Sequence, residues 1–439
     1  MSSLSPVKIG LLGIGTVGGG TITVLRRNAE VIASRAGRPI EIVAASARDL
    51  SKPRDVELSG IELFSDPFEV VVHDEVDIVV ELIGGTEPAR DLVVTALQSG
   101  KHVVTANKAL IALHGNEIFD VAQQTHTMVG FESAVAGAIP VIKALREGLS
   151  GNRVEWLAGI INGTCNYILT EMSAQGRNFD DVLAEAQALG YAEADPSFDI
   201  DGTDAAHKLA ILAAIAFGSP LQFDRVYIEG ISRLAKIDIE YARRLGYQIK
   251  HLGMAIQRES GIELRVHPTL IAERQILASV DGVMNAIMIH GDAAGSTLYY
   301  GAGAGAEATA SATVADIVDV ARSMTGTPET RVPHLAFQPD ALAQSHIIDM
   351  PDVESAYYLR LSAIDEPGVL ADVTRILGNS GISIEAILQQ EPETNALSVP
   401  IIILTHRVVE RALNEAVAEI EALHQIVDKI VLIRMENLA

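Results

Sequence analysis

The sequence predicts an α/β protein: a doubly wound parallel sheet at the N-terminus, an α+β domain after it, and a small βαββαβ unit at the C-terminus. Three observations carry this. Over the first hundred residues, short β-branched runs alternate with helical stretches at the spacing that βαβ crossovers require. From about Phe131 the pattern changes to longer helices mixed with glycine-rich loops. Beyond a proline-rich stretch, the chain ends in the order strand, helix, strand, strand, helix, strand.

The runs "VKIGLLG", "IEIVAASA", "VDIVVELIGG" and "KHVVTANK" read as buried parallel strands of a first domain over residues 1–130. Residues 131–305, with "DDVLAEAQALG" and the helical run after Thr203, form the second domain. "GAGAGAEATASATVADIVDVARSMTG", from Gly301, is a glycine turn feeding a small-residue helix of about 306–325, expected to pack back on the first domain. Residues 326–355, with Pro328, Pro333, Pro339 and Pro351, read as a linker, and 356–439 as the closing unit.

Composition narrows the function. A chain of 439 residues that is 48% hydrophobic can fill two or three cores. Its formal net charge of −24 repels nucleic acid and anionic membranes, which leaves small-molecule chemistry. Cys165 is the single cysteine, so no disulfide framework or thiolate cluster forms within one chain, and a reducing, cytoplasmic setting is expected. No signal peptide is expected at the N-terminus. Apolar stretches such as "LAILAAIAFG", from Leu209, fall short of the roughly 20 residues of a membrane span.

Gly13-x-Gly15-x-x-Gly18 follows a predicted strand and opens a helix. There, glycines permit a tight turn and close backbone approach, and the helix N-terminus meets a pyrophosphate, as in a Rossmann-type domain. The second strand ends in "AASARDLSKPR", where an acidic residue would bind ribose hydroxyls. Arg48 stands there, with Lys52 and Arg54 nearby, and suits a 2′-phosphate, so NADP is the first choice; Asp49 keeps NAD as the alternative.

"GYAEADPSFDIDGTDAAHKLA", from Gly190, gathers Glu193, Asp195, Asp199, Asp201 and Asp204 before Lys208. Asp204 and Lys208 are four apart on a predicted helix that continues apolar, so they share a face and point inward. Carboxylates gathered there need a cation: a substrate ammonium group fits, and a divalent metal competes without an EF-hand spacing. Lys108, in "VVTANKAL", follows a strand at the carboxyl edge where such sheets bind ligands. Two lysines at a nicotinamide would supply a proton donor and carbonyl polarisation for hydride transfer.

Together these motifs resemble the homoserine dehydrogenase family over nearly the whole chain. The resemblance rests on Ala186-x3-Gly190-Tyr191-Ala192-x2-Asp195-Pro196-x2-Asp199-Ile200-x-Gly202-x-Asp204-x3-Lys208. It is supported by "TANK" ending at Lys108, "FESAVAGAIPVI" from Phe131, "GIINGTCNYIL" from Gly159 and "YYGAGAGAEATASA" from Tyr299. It implies NAD(P)-dependent interconversion of L-aspartate 4-semialdehyde and L-homoserine, on the branch to threonine, isoleucine and methionine. By position, Lys208 corresponds to the proton donor with Asp204 beside it, Lys108 to the lysine at the cofactor and reacting carbon, and Glu193 and Asp199 to substrate-binding carboxylates. The cofactor contacts expected are Gly13, Ile14, Gly15, Thr16, Val17, Gly18, Arg48, Thr86, Lys108 and Gly305. The family also implies a monovalent cation, usually sodium, held by Glu132 and the carbonyls of Val135, Gly137 and Ile139.

The C-terminal unit resembles an ACT domain over about 356–435, through Asp365-Glu366-Pro367-Gly368-Val369-Leu370 and Asn379-x-Gly381-Ile382. Such domains pair edge to edge and bind amino acids, so threonine feedback and a homodimer or homotetramer are expected. Two rival readings stay open. A phosphorylating aldehyde dehydrogenase would need Cys165 as nucleophile; a non-catalytic nicotinamide and amino-acid sensor would not need two convergent lysines.

Overall fold

The protein was characterised as a computed structural model whose described residues are 4–389 and 398–438. The chain gathers into two compact units, one of Met1–Gly163, Asp204–Val226 and Val283–Ser345, the other of Thr164–Thr203, Tyr227–Gly282 and His346–Ala439.

In the first unit, strands β1 (Val7–Leu12), β2 (Ile40–Ser46), β3 (Glu62–Phe64), β4 (Ile78–Glu81), β5 (His102–Thr105) and β6 (Val129–Gly130) form a parallel sheet in the order β3-β2-β1-β4-β5-β6. Helices α1 (Thr16–Arg27), α2 (Ala29–Ala36), α3 (Pro67–Val72), α4 (Ala89–Gln98) and α5 (Lys108–Gln124) make the crossovers. The order reverses between β1 and β4, the switch point at which doubly wound sheets bind ligands. Register places Leu12 beside Ser46 and Glu81, and Glu81 beside Thr105, so four strand ends form one row from which the glycine turn and Lys108 leave.

Helix α12 (Ala306–Ser323) packs on α1 over a core that includes Ile9, Leu11, Ile22, Val104 and Ile317. Contact is backbone-close, since a Cβ on Gly20 would lie 2.5 Å from the Ala306 carbonyl oxygen. The unit also holds the short helix α6 (Val141–Lys143) and the helix α10 (Thr203–Phe217). Its second, antiparallel set of strands comprises β7 (Val154–Ile160), β11 (Met284–Gly291) and β12 (Gly295–Ala302).

The second unit holds helices α7 (Gly163–Gln175), α8 (Phe179–Ala188), α9 (Ser197–Ile200) and α11 (Lys236–Arg244), with the short strand β8 (Tyr227–Ile228). Two long strands, β9 (Tyr247–Arg258) and β10 (Gly261–Ala272), pair in an antiparallel hairpin. The chain end runs β13 (Glu354–Ala363), α13 (Val369–Asn379), β14 (Ile384–Gln389), β15 (Val399–Thr405), β16 (Val408–Val409), α14 (Glu410–Glu421) and β17 (Val431–Glu436). Apart from the two-residue β16, this is the expected βαββαβ order, with the strands side by side as β17-β13-β15-β14. One edge of it is already occupied: β17 pairs in parallel with β10, Thr269 beside Arg434, leaving β14 as the outer strand. Buried charge fixes that junction, since Arg265 Nη2 reaches carboxylates of Glu263 and Glu436 at 2.8 Å each.

Candidate active site

The glycine turn has the geometry its sequence calls for. Gly13 sits at φ +98°, and a Cβ on Gly18 would lie 2.1 Å from the Gly13 carbonyl oxygen, so both positions exclude side chains. Around a Cβ on Gly15 there is only open space within 4 Å. Gly15 is the N-cap of α1 and makes no side-chain cap, so the first amides of the helix, from Thr16 and Val17 onward, stay available to an anion. Ile14 is buried beneath the turn.

Gly13, Ile14 and Gly15 line a cavity of about 280 Å³ together with Arg48, Asp49, Lys52 and Arg54. Arg54 is tied to its own loop through the carbonyls of Lys52 and Asp49, at 2.9 and 2.7 Å, whereas Arg48 makes no hydrogen bond or ion pair among the described residues. Asp49 accepts both the amide and the hydroxyl of Ser51, which hold its carboxyl below the usual range. Uncapped amides, a side-chain-free approach and a basic wall suit a dinucleotide phosphate.

Beside this turn, Glu81 braces the next two loops. Wholly buried at the end of β4, it accepts the amides of Ile83 and Gly84 through Oε1 and the Thr105 hydroxyl through Oε2 at 2.6 Å. Asn107 caps α5 by accepting from Leu110 and donates to the Gly85 carbonyl. Thr86 follows directly, its carbonyl taking the Arg90 amide. The turn of Gly84–Thr86 and the start of α5 at Lys108 are thereby fixed to each other. Gly305, the exposed N-cap of α12 at φ +138°, lies in a third glycine turn.

The three residues expected to carry the chemistry meet. Asp204, on the first turn of α10, is buried, and its Oδ2 accepts from Lys208 Nζ at 2.7 Å and from Asn162 Nδ2 at 2.8 Å. Its Oδ1 lies 2.9 Å from Lys108 Nζ. Lys208 also donates to the Ile161 carbonyl at 2.7 Å. Burial alone would raise the Asp204 carboxyl, but the Lys208 and Lys108 ammonium groups overcome it and hold the acid far below its ordinary range. Burial, against the pull of Asp204, holds His207 down to about 4, so the ring is neutral, tilted on Phe223 with centroids 4.4 Å apart. One permanent carboxylate therefore positions two ammonium groups at the carboxyl edge of the parallel sheet. Asn162 and the Ile161 carbonyl come from the turn after β7.

Glu193 and Asp199 belong to the second unit. Glu193 is exposed, its carbonyl accepting from Gln187. Asp199 lies in α9, its carboxylate 3.4 Å from the Thr164 hydroxyl, and its carbonyl accepts from Cys165 Sγ at 3.2 Å. Asp195 holds its own loop by accepting both the amide and the hydroxyl of Ser197. Cys165 has no exposed surface.

Glu132 is buried, with its carboxylate oxygens taking the amides of Ile142 and Lys143 at 2.8 Å each, and its own amide donating to Asp316. Burial pushes Glu132 up to about 7 and Asp316, beside it, up to about 8. Between Glu132 and α6 the chain turns through two left-handed residues, Ala136 at φ +56° and Gly137 at φ +50°. That turn is irregular enough to leave carbonyls outside a regular ladder, although Ile139 already accepts from Val141. A carboxylate beside such carbonyls is an oxygen-only set that a hard monovalent cation fits.

Known proteins resemble the chain along nearly its whole length. Family models described as "Homoserine dehydrogenase", "Homoserine dehydrogenase, NAD binding domain" and "ACT domain" match residues 140–318, 13–132 and 357–425. A homoserine dehydrogenase of Pseudomonas aeruginosa is 61% identical over 435 residues, covering 99% of this chain and 100% of that one. The crystal structure of a homoserine dehydrogenase from Thiobacillus denitrificans is also 61% identical and covers 100% of both chains at a TM-score of 0.96. A hyperthermophilic archaeal homoserine dehydrogenase in complex with NADPH is 27% identical, over 72% of this chain and 97% of that one, at a TM-score of 0.61. With likeness of this extent in sequence, fold and domain content, the chain belongs to the homoserine dehydrogenase family of NAD(P)-dependent oxidoreductases.

Proposed function

We propose that the chain reduces L-aspartate 4-semialdehyde to L-homoserine with NADPH, on the route to threonine, methionine and isoleucine. The observation that carries the assignment of roles is the clamp of Asp204 on Lys108 and Lys208. When bound, the reduced nicotinamide supplies a hydride for the aldehyde carbon. As the carbonyl oxygen gathers negative charge, Lys208 gives it a proton and Lys108 steadies it. Asp204 keeps both ammonium groups in place. Glu193 and Asp199 take the substrate ammonium group in this reading. The pyrophosphate rests on Gly13, Ile14, Gly15, Thr16, Val17 and Gly18, the 2′-phosphate on Arg48, and the nicotinamide half against Thr86, Lys108 and Gly305.

A monovalent cation, sodium by family likeness, would be held by Glu132 with the carbonyls of Val135, Gly137 and Ile139. A melting temperature that rises with sodium in the native chain and not in Glu132→Gln would support it. Threonine is the proposed effector of the ACT unit. Pairing through the outer strand β14, or through β12 with Leu298 and Tyr300 exposed, would make the homodimer or homotetramer. No helix among the described residues is long and apolar enough to cross a membrane, and a cytoplasmic enzyme is the reading adopted. A buried Cys165 speaks against an acyl-enzyme route.

The deciding experiment follows nicotinamide absorbance with L-homoserine, NADP and NAD in parallel, with and without threonine. Turnover favouring NADP is expected, falling with threonine. Folded protein without turnover would leave the sensor reading.

A further inference from the structure

We infer that the first unit carries a second ligand site, for a small organic anion with an apolar body, between the C-terminal half of α5 and the chain from Pro328 to Leu342. A cavity of about 290 Å³ lies there. Phe119 and His334 form one wall, their rings stacked at 4.9 Å and 6°. Val332 and Phe337, 42% and 40% exposed, face the same space, an unusual amount of large apolar surface on one proline-rich segment. A polar cavity of about 140 Å³ adjoins it, the two sharing Met128, Arg331, Val332 and His334.

The second cavity carries four basic side chains, Lys143, Arg146, Arg322 and Arg331, against three acids, Glu147, Asp316 and Asp319. Lys143 and Arg322 line it, both engaged with Asp319. Arg146 lines it too, and differs: it makes no ion pair among the described residues, its Nε is buried without a partner, and its guanidinium stands 5.8 Å from the Phe131 ring centre. Asp316 lines the same cavity but accepts the Glu132 amide, while Glu132 accepts the amides of Ile142 and Lys143, and neither acid pairs with Arg146 among the described residues. Burial, then Arg146 and Arg331, holds His334 down to about 3, so its ring belongs to the apolar wall, with Nε2 accepting from the Val129 amide. A carboxylate, sulfonate or phosphate head on Arg146, with an aromatic or branched body against Phe119 and Val332, satisfies both halves. Neither the glycine turn, nor Lys108, nor Lys208 lines these cavities.

The probe is 1-anilinonaphthalene-8-sulfonate, a naphthyl body bearing one sulfonate, titrated by fluorescence into the full chain with NADP saturating the glycine turn. Saturable binding at one site per chain is expected. Arg146→Gln should weaken it about tenfold or more and Arg146→Lys by less than about threefold, while Val332→Trp, at an exposed position, should block it. The uncharged N-phenyl-1-naphthylamine should bind about tenfold more weakly. Circular dichroism and melting confirm that each variant is folded. No saturable binding to the folded native chain, or unchanged affinity in either Arg146→Gln or Val332→Trp, would overturn the site.

Discussion

Asp204 lies one helical turn before Lys208 and holds its Nζ at 2.7 Å, with side-chain exposures of 4% and 11%. A surface pair four residues apart contributes a few tenths of a kcal/mol, roughly 0.3–0.5. Burial changes its character. Here the carboxylate is shared by two ammonium groups and an amide, so losing any partner leaves charge stranded out of water.

Two substitutions separate chemistry from scaffolding. Lys208→Ala should lower kcat by about 10²–10⁴, the usual worth of a positioned proton donor, with the KM for NADP little changed. Asp204→Asn keeps the shape but loses the charge that gathers both lysines; kcat should fall and stability with it, by about 3 kcal/mol. Steady-state kinetics and urea melts check both. Full activity in Lys208→Ala would remove the lysine from the reaction.

The glycines of the turn should part company. Gly15→Ala meets nothing within 4 Å and sits at φ −84°, so the protein should melt normally; its methyl group would stand in the phosphate's path and raise the KM for the cofactor about tenfold. Gly18→Ala drives a methyl onto the Gly13 carbonyl and should cost about 2 kcal/mol of stability as well. Melting curves beside cofactor titrations distinguish them. Equal loss of stability in both would mean the open space at Gly15 serves packing.

What could be read from the sequence was local. Gly13, Gly15 and Gly18 answer to backbone demands within one turn, and Asp204 and Lys208 to a helical repeat. Lys108 reaching Asp204 is a contact across 96 positions that no period encodes; its place at a strand end and the family likeness suggested a lysine at the cofactor and not this pairing. Ile161 acts through a carbonyl, which leaves no mark in a sequence. Asn162 lay inside "GIINGTCNYIL" with no role assigned, because an amide in a turn has many uses. Glu81 did give a signal, an acid within the apolar run "VDIVVELIGG", and its buried bracing of two loops explains why it is there. Pairing of β17 with β10 depends on strands far apart in the chain, so the occupied edge of the ACT unit was not legible.

Arg48 should govern cofactor choice. Since Arg54 is bound into its own loop, Arg48 is the guanidinium in the cavity wall left to meet a 2′-phosphate. Losing a charge-assisted hydrogen bond costs about 1.5–3 kcal/mol, so Arg48→Ala should reduce the NADP to NAD ratio of kcat/KM by about ten- to a hundredfold. NAD turnover itself should hardly move. A ratio left unchanged would transfer the role to Lys52.

Acid should weaken the fold through His102. It is buried at the start of β5, where its Nδ1 accepts the Met128 amide at 3.0 Å, and burial holds it down to about 4 from an ordinary 6.5. Between those two pH values the unfolded chain binds a proton that the folded chain refuses. Its stabilising contribution is therefore complete above 6.5 and is lost as pH falls toward 4, at about 1.4 kcal/mol per pH unit. His102→Asn offers Oδ1 to the same amide and does not titrate. Its melting temperature should fall less between pH 7 and about 4.5 than that of the native chain, whatever its value at pH 7. Parallel declines would show that the ring takes up its proton in the folded state, and that Arg331 and the surrounding apolar atoms do not exclude the charge.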